Sequence, residues 1–267
     1  MNKKVVLITG ANGGLGGAIA LAYCKNNFEV IATDIKTEST HGISGKVGYI
    51  NIKLDITSEI EVARCASCIK EQYGQLDLLI SNASIFDFYA VSEAGANKLK
   101  SIMDVNFLGL ANLTKYFLPL LHESNGRLIV ISSESYKVPA PFQPYAVSKQ
   151  ALESLYKAIK IELSLLGVKS VLIRPGAIQT QILEDTLKFK QSEQETLLKK
   201  EFDQFIETVP NYIDHISNPH KVAQLVLKAG IKRNPKQIYS INHNPLVTIF
   251  SNLPAKLKNY IIKRSLK

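Results

Sequence analysis

Short apolar runs recur along this chain at residues 4 to 9, 28 to 34, 76 to 82, 127 to 132, 169 to 173 and 237 to 241. Each has strand length, and the segments between them carry apolar residues at helical spacing, which predicts helices at 15 to 26, 58 to 73, 95 to 121 and 145 to 166. Gly167 closes the last of these as a C-terminal cap. Strands that alternate with helices imply a parallel sheet, because a parallel neighbour is reached only through a crossover. The expected fold class is α/β, a doubly wound parallel sheet flanked by helices on both faces. At 267 residues and 46% apolar content the chain can bury one large core, so residues 1–245 are expected to form a single domain. Ligands of such a sheet bind beyond the carboxyl ends of its strands, and Gly10, Asp34, Asn82, Ser133 and Pro175 all fall at such ends.

Residues 180 to 216 break the alternation. Leu187, Phe189, Leu197, Leu198, Phe202, Phe205, Ile206 and Val209 are spaced as in one or two amphipathic helices. Because this segment follows the strand end at Pro175-Gly176, it is expected to be a helical substrate lid, with an ordinary surface helix as the competing reading.

Composition narrows the class further. Cys24, Cys65 and Cys68 are an odd number without disulfide spacing, which fits a reducing, cytoplasmic setting. Cys65 and Cys68 have the C-x-x-C spacing, but no second Cys/His pair follows, and His41, His122, His215, His220 and His243 show no ligand spacing, so no metal is expected. The apolar run after Met1-Asn2-Lys3-Lys4 is cut at once by Thr9-Gly10 and reads as a buried strand rather than a signal peptide. The formal charge is +9, yet ten basic and no acidic residues lie after position 220, which leaves −1 on the rest of the chain. A basic tail on a near-neutral body points to an anionic surface rather than to nucleic acid, for which no reading motif is present.

After the first strand comes Thr9-Gly10-Ala11-Asn12-Gly13-Gly14-Leu15-Gly16. Glycines at 10, 14 and 16 permit a tight turn, close backbone approach to a pyrophosphate and close packing of the next helix, whose N-terminus faces the phosphates. Asp34 ends the second strand, where a carboxylate can accept from ribose hydroxyls and repel a 2′-phosphate. NAD is therefore expected over NADP, with Lys36 near enough to leave NADP open.

Tyr145 and Lys149 stand four residues apart on a predicted helix and so share a face. Tyr49/Lys53 and Tyr156/Lys160 have the same spacing. Four residues along an extended segment separate the first decoy pair by about 13 Å. Tyr156 lies about 16 Å further along the helix than Tyr145. Only Tyr145 follows a Ser-rich strand end and a Pro-rich loop with Pro139, Pro141 and Pro144. A phenol needs a nearby cation to act as a base at neutral pH, and Lys149 can supply it. Ser133 would hold a substrate oxygen near the reacting carbon, with Ser132 as its competitor. Asn106, among apolar neighbours in a predicted helix, is expected to be buried and paired.

Together these residues resemble the classical short-chain dehydrogenase/reductase family, over nearly the whole chain up to Pro175-Gly176-x-x-x-Thr180. The resemblance implies a Rossmann-type fold and an oxidoreductase in which Tyr145 is the acid/base, with Asn106, Ser133 and Lys149 completing the catalytic set. It favours Ser133 over Ser132, and it gives Asn106 a role in binding a water that links Lys149 to solvent. It assigns Gly10, Asn12, Gly14, Leu15, Gly16, Asp34, Asp55, Ile56, Asn82, Ala83, Tyr145, Lys149, Pro175, Gly176, Ile178 and Thr180 to cofactor binding. The family usually has Gly where this chain has Ser84. The helices at 95 to 121 and 145 to 166 resemble its dimer faces, so a homodimer or homotetramer is expected.

The short Ser-to-Tyr loop and the extension through Asn244-Pro245-Leu246 and Leu253-Pro254 resemble the branch acting on retinoids, steroids and other lipophilic alcohols. A 3-oxoacyl-type carbonyl reductase and a non-catalytic dinucleotide-binding regulator are the other readings. Residues 246–267 mix Leu246, Val247, Ile249, Phe250, Leu253, Leu257, Tyr260, Ile261 and Ile262 with five basic residues, as in a basic amphipathic segment that touches a membrane peripherally. Packing on the body or on a second subunit is the alternative.

Overall fold

The computed structural model describes residues 3–36, 48–138, 140–188, 196–213 and 216–266. His41, Pro139, Phe189, His215 and Lys267, which enter the expectations above, lie outside the described residues. Among the described residues seven parallel strands form one sheet in the order β3-β2-β1-β4-β5-β6-β7. These are β1 (Val5–Thr9), β2 (Glu29–Asp34), β3 (Tyr49–Lys53), β4 (Leu78–Ser81), β5 (Arg127–Ile131), β6 (Lys169–Pro175) and β7 (Ile238–Ile241). Every residue of β1, β4 and β5 is buried, as strands covered on both faces must be, whereas the edge strands β3 and β7 are partly exposed.

Helices α1 (Gly14–Lys25) and α8 (Pro219–Ile231) cover one face, where Leu15, Ile19 and Tyr23 pack with Val222 and Val226. On the other face lie α2 (Glu59–Tyr73), α4 (Gly109–Glu123) and α5 (Pro144–Leu165), with Val62, Ile69, Leu113, Phe117, Leu152 and Tyr156 in one core. A side chain such as Phe117, fully buried there, contributes about 2 kcal/mol through the area it removes from water. The doubly wound architecture is as expected.

Three details differ from the expectation. The alternating segment at Tyr49 pairs with β2 and adds an edge strand to the six runs. The long helix at 95 to 121 is interrupted: α3 (Gly95–Met103) passes through a π-helical turn, Asp104–Leu108, before α4 begins. Helix α8 lies where no helix is predicted, yet its start is written in the chain. Asn218 accepts from the His220 amide at 2.8 Å, and Pro219 occupies the first turn.

Beyond the sheet, α6 (Gln181–Lys188) and α7 (Lys199–Tyr212) occupy the segment expected as a lid, and α9 (Pro245–Ser251) and α10 (Ala255–Ser265) occupy the C-terminal extension. A third apolar cluster joins Phe202, Phe205 and Val209 of α7 to Phe88, Ala90 and Phe142, with Leu266 packed against it. Phe142 and Phe202 meet edge to face, with ring centres 5.1 Å apart.

Candidate active site

A cavity of about 850 Å³ opens at the carboxyl ends of the strands. Its first end is built by the turn after β1. Gly10 stands at φ +65°, and a methyl placed on Gly16 would lie 2.0 Å from the Gly10 carbonyl oxygen, so α1 reaches this turn only without a side chain there. Thr180 covers the turn, 3.2 Å from where a Gly14 methyl would sit. No side chain caps the N-terminus of α1 and its first turn holds no acidic residue, whereas α2 is capped by Ser58 and carries Glu59 and Glu61 in its first turn. The uncapped end, bordered by glycine, fits the pyrophosphate of a dinucleotide.

Side chains lock this end together. The Thr9 hydroxyl accepts from the backbone amides of Asn82 (3.0 Å) and Ala83 (3.1 Å), while the Asn82 side-chain nitrogen donates to the carbonyls of Thr9 and Gly10. The Asp34 carboxylate accepts from the backbone amides of Asn12 (3.0 Å) and Lys36 (3.1 Å), which holds it at the mouth of the glycine turn. Asp55 accepts from the amide and hydroxyl of Thr57, both at 2.8 Å. Gly10, Gly14, Leu15, Gly16, Asp34, Asp55, Ile56, Asn82, Ala83, Pro175, Gly176, Ile178 and Thr180 all line the cavity. Asn12 is not among the lining residues. It reaches the site through Asp34 and through its side-chain bond to the Lys36 carbonyl.

The middle of the cavity gathers Ser133, Tyr145 and Lys149. Tyr145 and Lys149 lie in the first two turns of α5, and the Lys149 ammonium is 5.4 Å from the Tyr145 ring centre. Lys149 is 2% exposed and donates to the Ile131 carbonyl at 3.3 Å. Burial pushes the Tyr145 phenol up to about 12, opposed by hydrogen bonds from Ser133 and Ser84. Burial pulls Lys149 down to about 8, opposed by the negative charge of Glu153. Phe86 stacks obliquely on Tyr145, with centres 5.1 Å apart, and fixes its ring.

The two adjacent serines point to different places. Ser132, 2% exposed, donates to Glu153 at 2.8 Å. Glu153 is itself buried and receives two bonds from Arg174, at 2.9 and 2.6 Å. The Ser133 hydroxyl instead accepts from the amide and hydroxyl of Ser135 and lines the cavity, as Tyr145 does. The decoys lie elsewhere: Tyr156 is buried against Ser170, and Tyr49 is on the far edge strand.

Asn106 is buried, in the π-helical turn, and does not line the cavity. Its carboxamide oxygen accepts from Ser84 (2.9 Å) and the Ile85 amide (2.8 Å), and its nitrogen donates to the Ile85 carbonyl and Ser148, each at 2.9 Å. The side chain is thus taken up in tying the segment after β4 to α5. Ser84, Glu153 and Arg174 belong to the site but carry no sequence signal of their own beyond Ser84 replacing an expected Gly.

The far end of the cavity is apolar. Phe86, Phe88, Phe205 and Val209 line it together with Val247, Phe250, Leu253, Ile262 and Leu266 of the extension, so the tail forms part of the wall of the site. Cys65 is a core residue, its thiol pushed up to about 12 by burial, and has no part in the site.

The family model described as short chain dehydrogenase matches residues 4–191. Over 189 residues the chain is 33% identical to the short-chain dehydrogenase PC-15 of Penicillium crustosum, covering 69% of each chain. Over 255 residues it is 26% identical to retinol dehydrogenase 7 of Mus musculus, covering 90% of this chain and 81% of the relative. A crystal structure of a short-chain dehydrogenase from Streptomyces avermitilis has the same fold, with a TM-score of 0.79 at 24% identity over 98% of this chain and 95% of that one. With its glycine turn, its Ser/Tyr/Lys cluster and the matched segment, the chain belongs to the short-chain dehydrogenase family, oxidoreductases that act on alcohol and ketone groups with NAD or NADP.

Proposed function

We propose that this protein is an NAD(H)-dependent dehydrogenase of a lipophilic secondary alcohol, or a reductase of the matching ketone, with Tyr145 as acid/base. The observation that carries this reading is the juxtaposition of the Tyr145 phenol, the Ser133 hydroxyl and the buried Lys149 ammonium between the glycine turn and an apolar wall. Bound NAD would supply the hydride acceptor and a positive ring beside the phenol. Gly10, Gly14, Leu15 and Gly16 would hold its pyrophosphate, Asp55 and Ile56 its adenine, Asn82 and Ala83 its ribose side, and Pro175, Gly176, Ile178 and Thr180 its nicotinamide side. Asp34, its charge facing the mouth of the turn, supports NAD over NADP because a 2′-phosphate would meet a carboxylate there.

In this reading Ser133 holds the substrate oxygen and Tyr145 takes its proton as hydride leaves the carbon. The bond from Ser132 to Glu153 supports Ser133 over Ser132 in that role. Lys149 lowers the proton affinity of the phenol by its charge. The Asn106 side chain is fully engaged, so a water held near Lys149 would be held by the main chain of the π-helical turn.

Substrate class follows from the apolar half of the cavity and agrees with the relative named as a retinol dehydrogenase. The helical segments α6 and α7 would act as a lid. Leu257 and Tyr260 are exposed on the tail beside Lys256, Lys258, Lys263 and Arg264, away from the cavity lining, which supports peripheral contact with an anionic membrane. No helix among the described residues is long and apolar enough to cross one. Ile161, Leu165 and Leu166 are exposed at the end of α5 and support self-association, which sedimentation would read as twice or four times the 29.6 kDa chain.

The deciding experiment is the rate of NADH formation with lipophilic and short-chain alcohols, in wild type and Tyr145→Phe, repeated with NADP. Turnover that prefers lipophilic alcohols and NAD and falls at least about 10³-fold in the variant, while NADH still binds, is expected. Undiminished turnover in Tyr145→Phe would remove Tyr145 from the chemistry, and equal use of NADP would remove Asp34 from discrimination.

A further inference from the structure

We infer that Glu134 selects the substrate: its carboxylate accepts a hydrogen bond from a second hydroxyl, or from an amino group, carried close to the reacting carbon of a lipophilic alcohol. This rests on the dehydrogenase reading, in which Ser133 marks the position of the reacting oxygen. Glu134 directly follows Ser133, with consecutive Cα atoms about 3.8 Å apart, and both residues line the cavity. A donor that reaches the carboxylate while Ser133 holds the substrate oxygen therefore lies within a few bonds of the reacting carbon.

Asp34, Asp55 and Glu134 are the acidic residues among the described lining residues. Asp34 and Asp55 accept from neighbouring backbone amides at the end that fits the adenosine. Glu134 begins the 3₁₀ turn Glu134–Lys137 after β5. Its Oε2 accepts from the backbone amide of Asn244 at 2.7 Å. Its Oε1 lies against Gly176, 3.0 Å from where a methyl on that residue would sit. Among the described residues no N–H or O–H group donates to Oε1 and no cation pairs with the carboxylate. Lys137, in the same turn, donates instead to the Thr248 hydroxyl at 2.6 Å. Lys149, the one cation among the described lining residues, donates to the Ile131 carbonyl.

A carboxylate can accept several hydrogen bonds, and this one has a single donor. Burial raises its proton affinity, opposed by the Asn244 amide and, through charge, by Lys137 and His243. A donor that enters the cavity and reaches Oε1 would form a charge-assisted bond there. A plain hydrocarbon alcohol would cover the carboxylate and give it no partner, which costs the hydration of a charged group. Beyond the carboxylate the lining is apolar, with Val138, Pro141, Val247 and Phe250. Val247 and Phe250 belong to α9, whose N-terminus is the one held through Asn244. The ligand that suits both features has a donor beside its reacting carbon and a lipophilic part further on.

The test is kcat/KM with NAD for long-chain secondary alkanols of equal length: the plain compound, its analogue with a hydroxyl on the neighbouring carbon, and its analogue with an amino group there. Wild type should favour one or both analogues at least about tenfold over the plain alkanol. Glu134→Gln should remove that preference. The Asn244 amide keeps the Gln carbonyl oxygen, which turns the side-chain NH₂ toward the cavity, where it cannot accept from a donor. Glu134→Ala should remove the preference as well. A residue that merely braced the turn against the tail would, when replaced, slow all three alkanols by one factor and leave their ratio intact. That result, or a wild type without preference, overturns the inference. If wild type oxidises none of them, calorimetric titration of the same alkanols into the NAD-saturated protein separates the two readings. Tighter binding of the analogues that Glu134→Gln abolishes would then defeat only the dehydrogenase reading, whereas equal or undetectable binding defeats the inference.

Discussion

Lys149 sits where a cation is costly. At 2% exposure it donates to the Ile131 carbonyl, and its proton affinity falls from an ordinary 10.5 to about 8. Below about pH 8 folded and unfolded chains both hold that proton and the folded state bears the full desolvation penalty. Between about 8 and 10.5 the folded state releases it first, so stability rises with pH through that window. Lys149→Met should therefore stabilise the cofactor-free protein by about 2 kcal/mol at pH 7, with the advantage fading toward pH 10, as urea melts at both values would show. The same substitution should abolish turnover. The choice between Ser132 and Ser133 belongs to this scale too. Their adjacency is plain in the chain, and both line the cavity, but that the Ser132 hydroxyl is taken up depends on where Glu153 and Arg174 stand, and both come from distant positions.

At the scale of elements, α5 presents the proposed catalytic pair on one stripe. Tyr145, Lys149 and Glu153 recur every four residues, and the last ties the helix to the end of β5 through Ser132 and to β6 through Arg174. The Arg174 guanidinium also lies over the Tyr136 ring, 4.2 Å from its centre. Glu153→Ala would leave Arg174 largely buried beside an unpaired Ser132, and should cost about 3 kcal/mol in thermal or urea unfolding, with the Ser132-Ser133 corner loosened. If the loss stays below about 1 kcal/mol, Glu153 is not the brace it is taken for. The Tyr/Lys spacing and the glycine turn were legible because each is a local pattern with a local consequence. Helix α8 carries a start signal in the chain at Asn218-Pro219, which the apolar period of its short span does not announce. The π-helical turn at Asp104–Leu108 has no marker in the chain, and it is where Asn106 is turned inward.

Across the whole molecule, the tail and the α7 segment both line the cavity, and Leu266 of the tail packs against the α7 cluster. Removing residues 254–267 would take away Ile261, Ile262, Ser265 and Leu266 from its wall. The expected result is a KM for lipophilic alcohols raised about tenfold, with the KM for NAD unchanged, and weaker binding to anionic vesicles in the same truncated protein. Equal KM values would mean that the wall does not touch the substrate, and unchanged vesicle binding would refute the membrane contact. Residues 246–267 as a sequence show only that apolar and basic residues alternate. Their folded form divides them, with Val247, Phe250, Leu253, Ile262 and Leu266 turned to the cavity while Leu257 and Tyr260 stay exposed. By itself the chain determined the parallel sheet, the glycine turn and the Tyr145/Lys149 pair, because apolar period, steric freedom at glycine and helical repeat act over a few residues. Only the tertiary structure decided that Ser132 is taken up by Glu153, that Asn106 is turned inward, and that the tail walls the site, because these depend on the meeting of segments far apart in the chain.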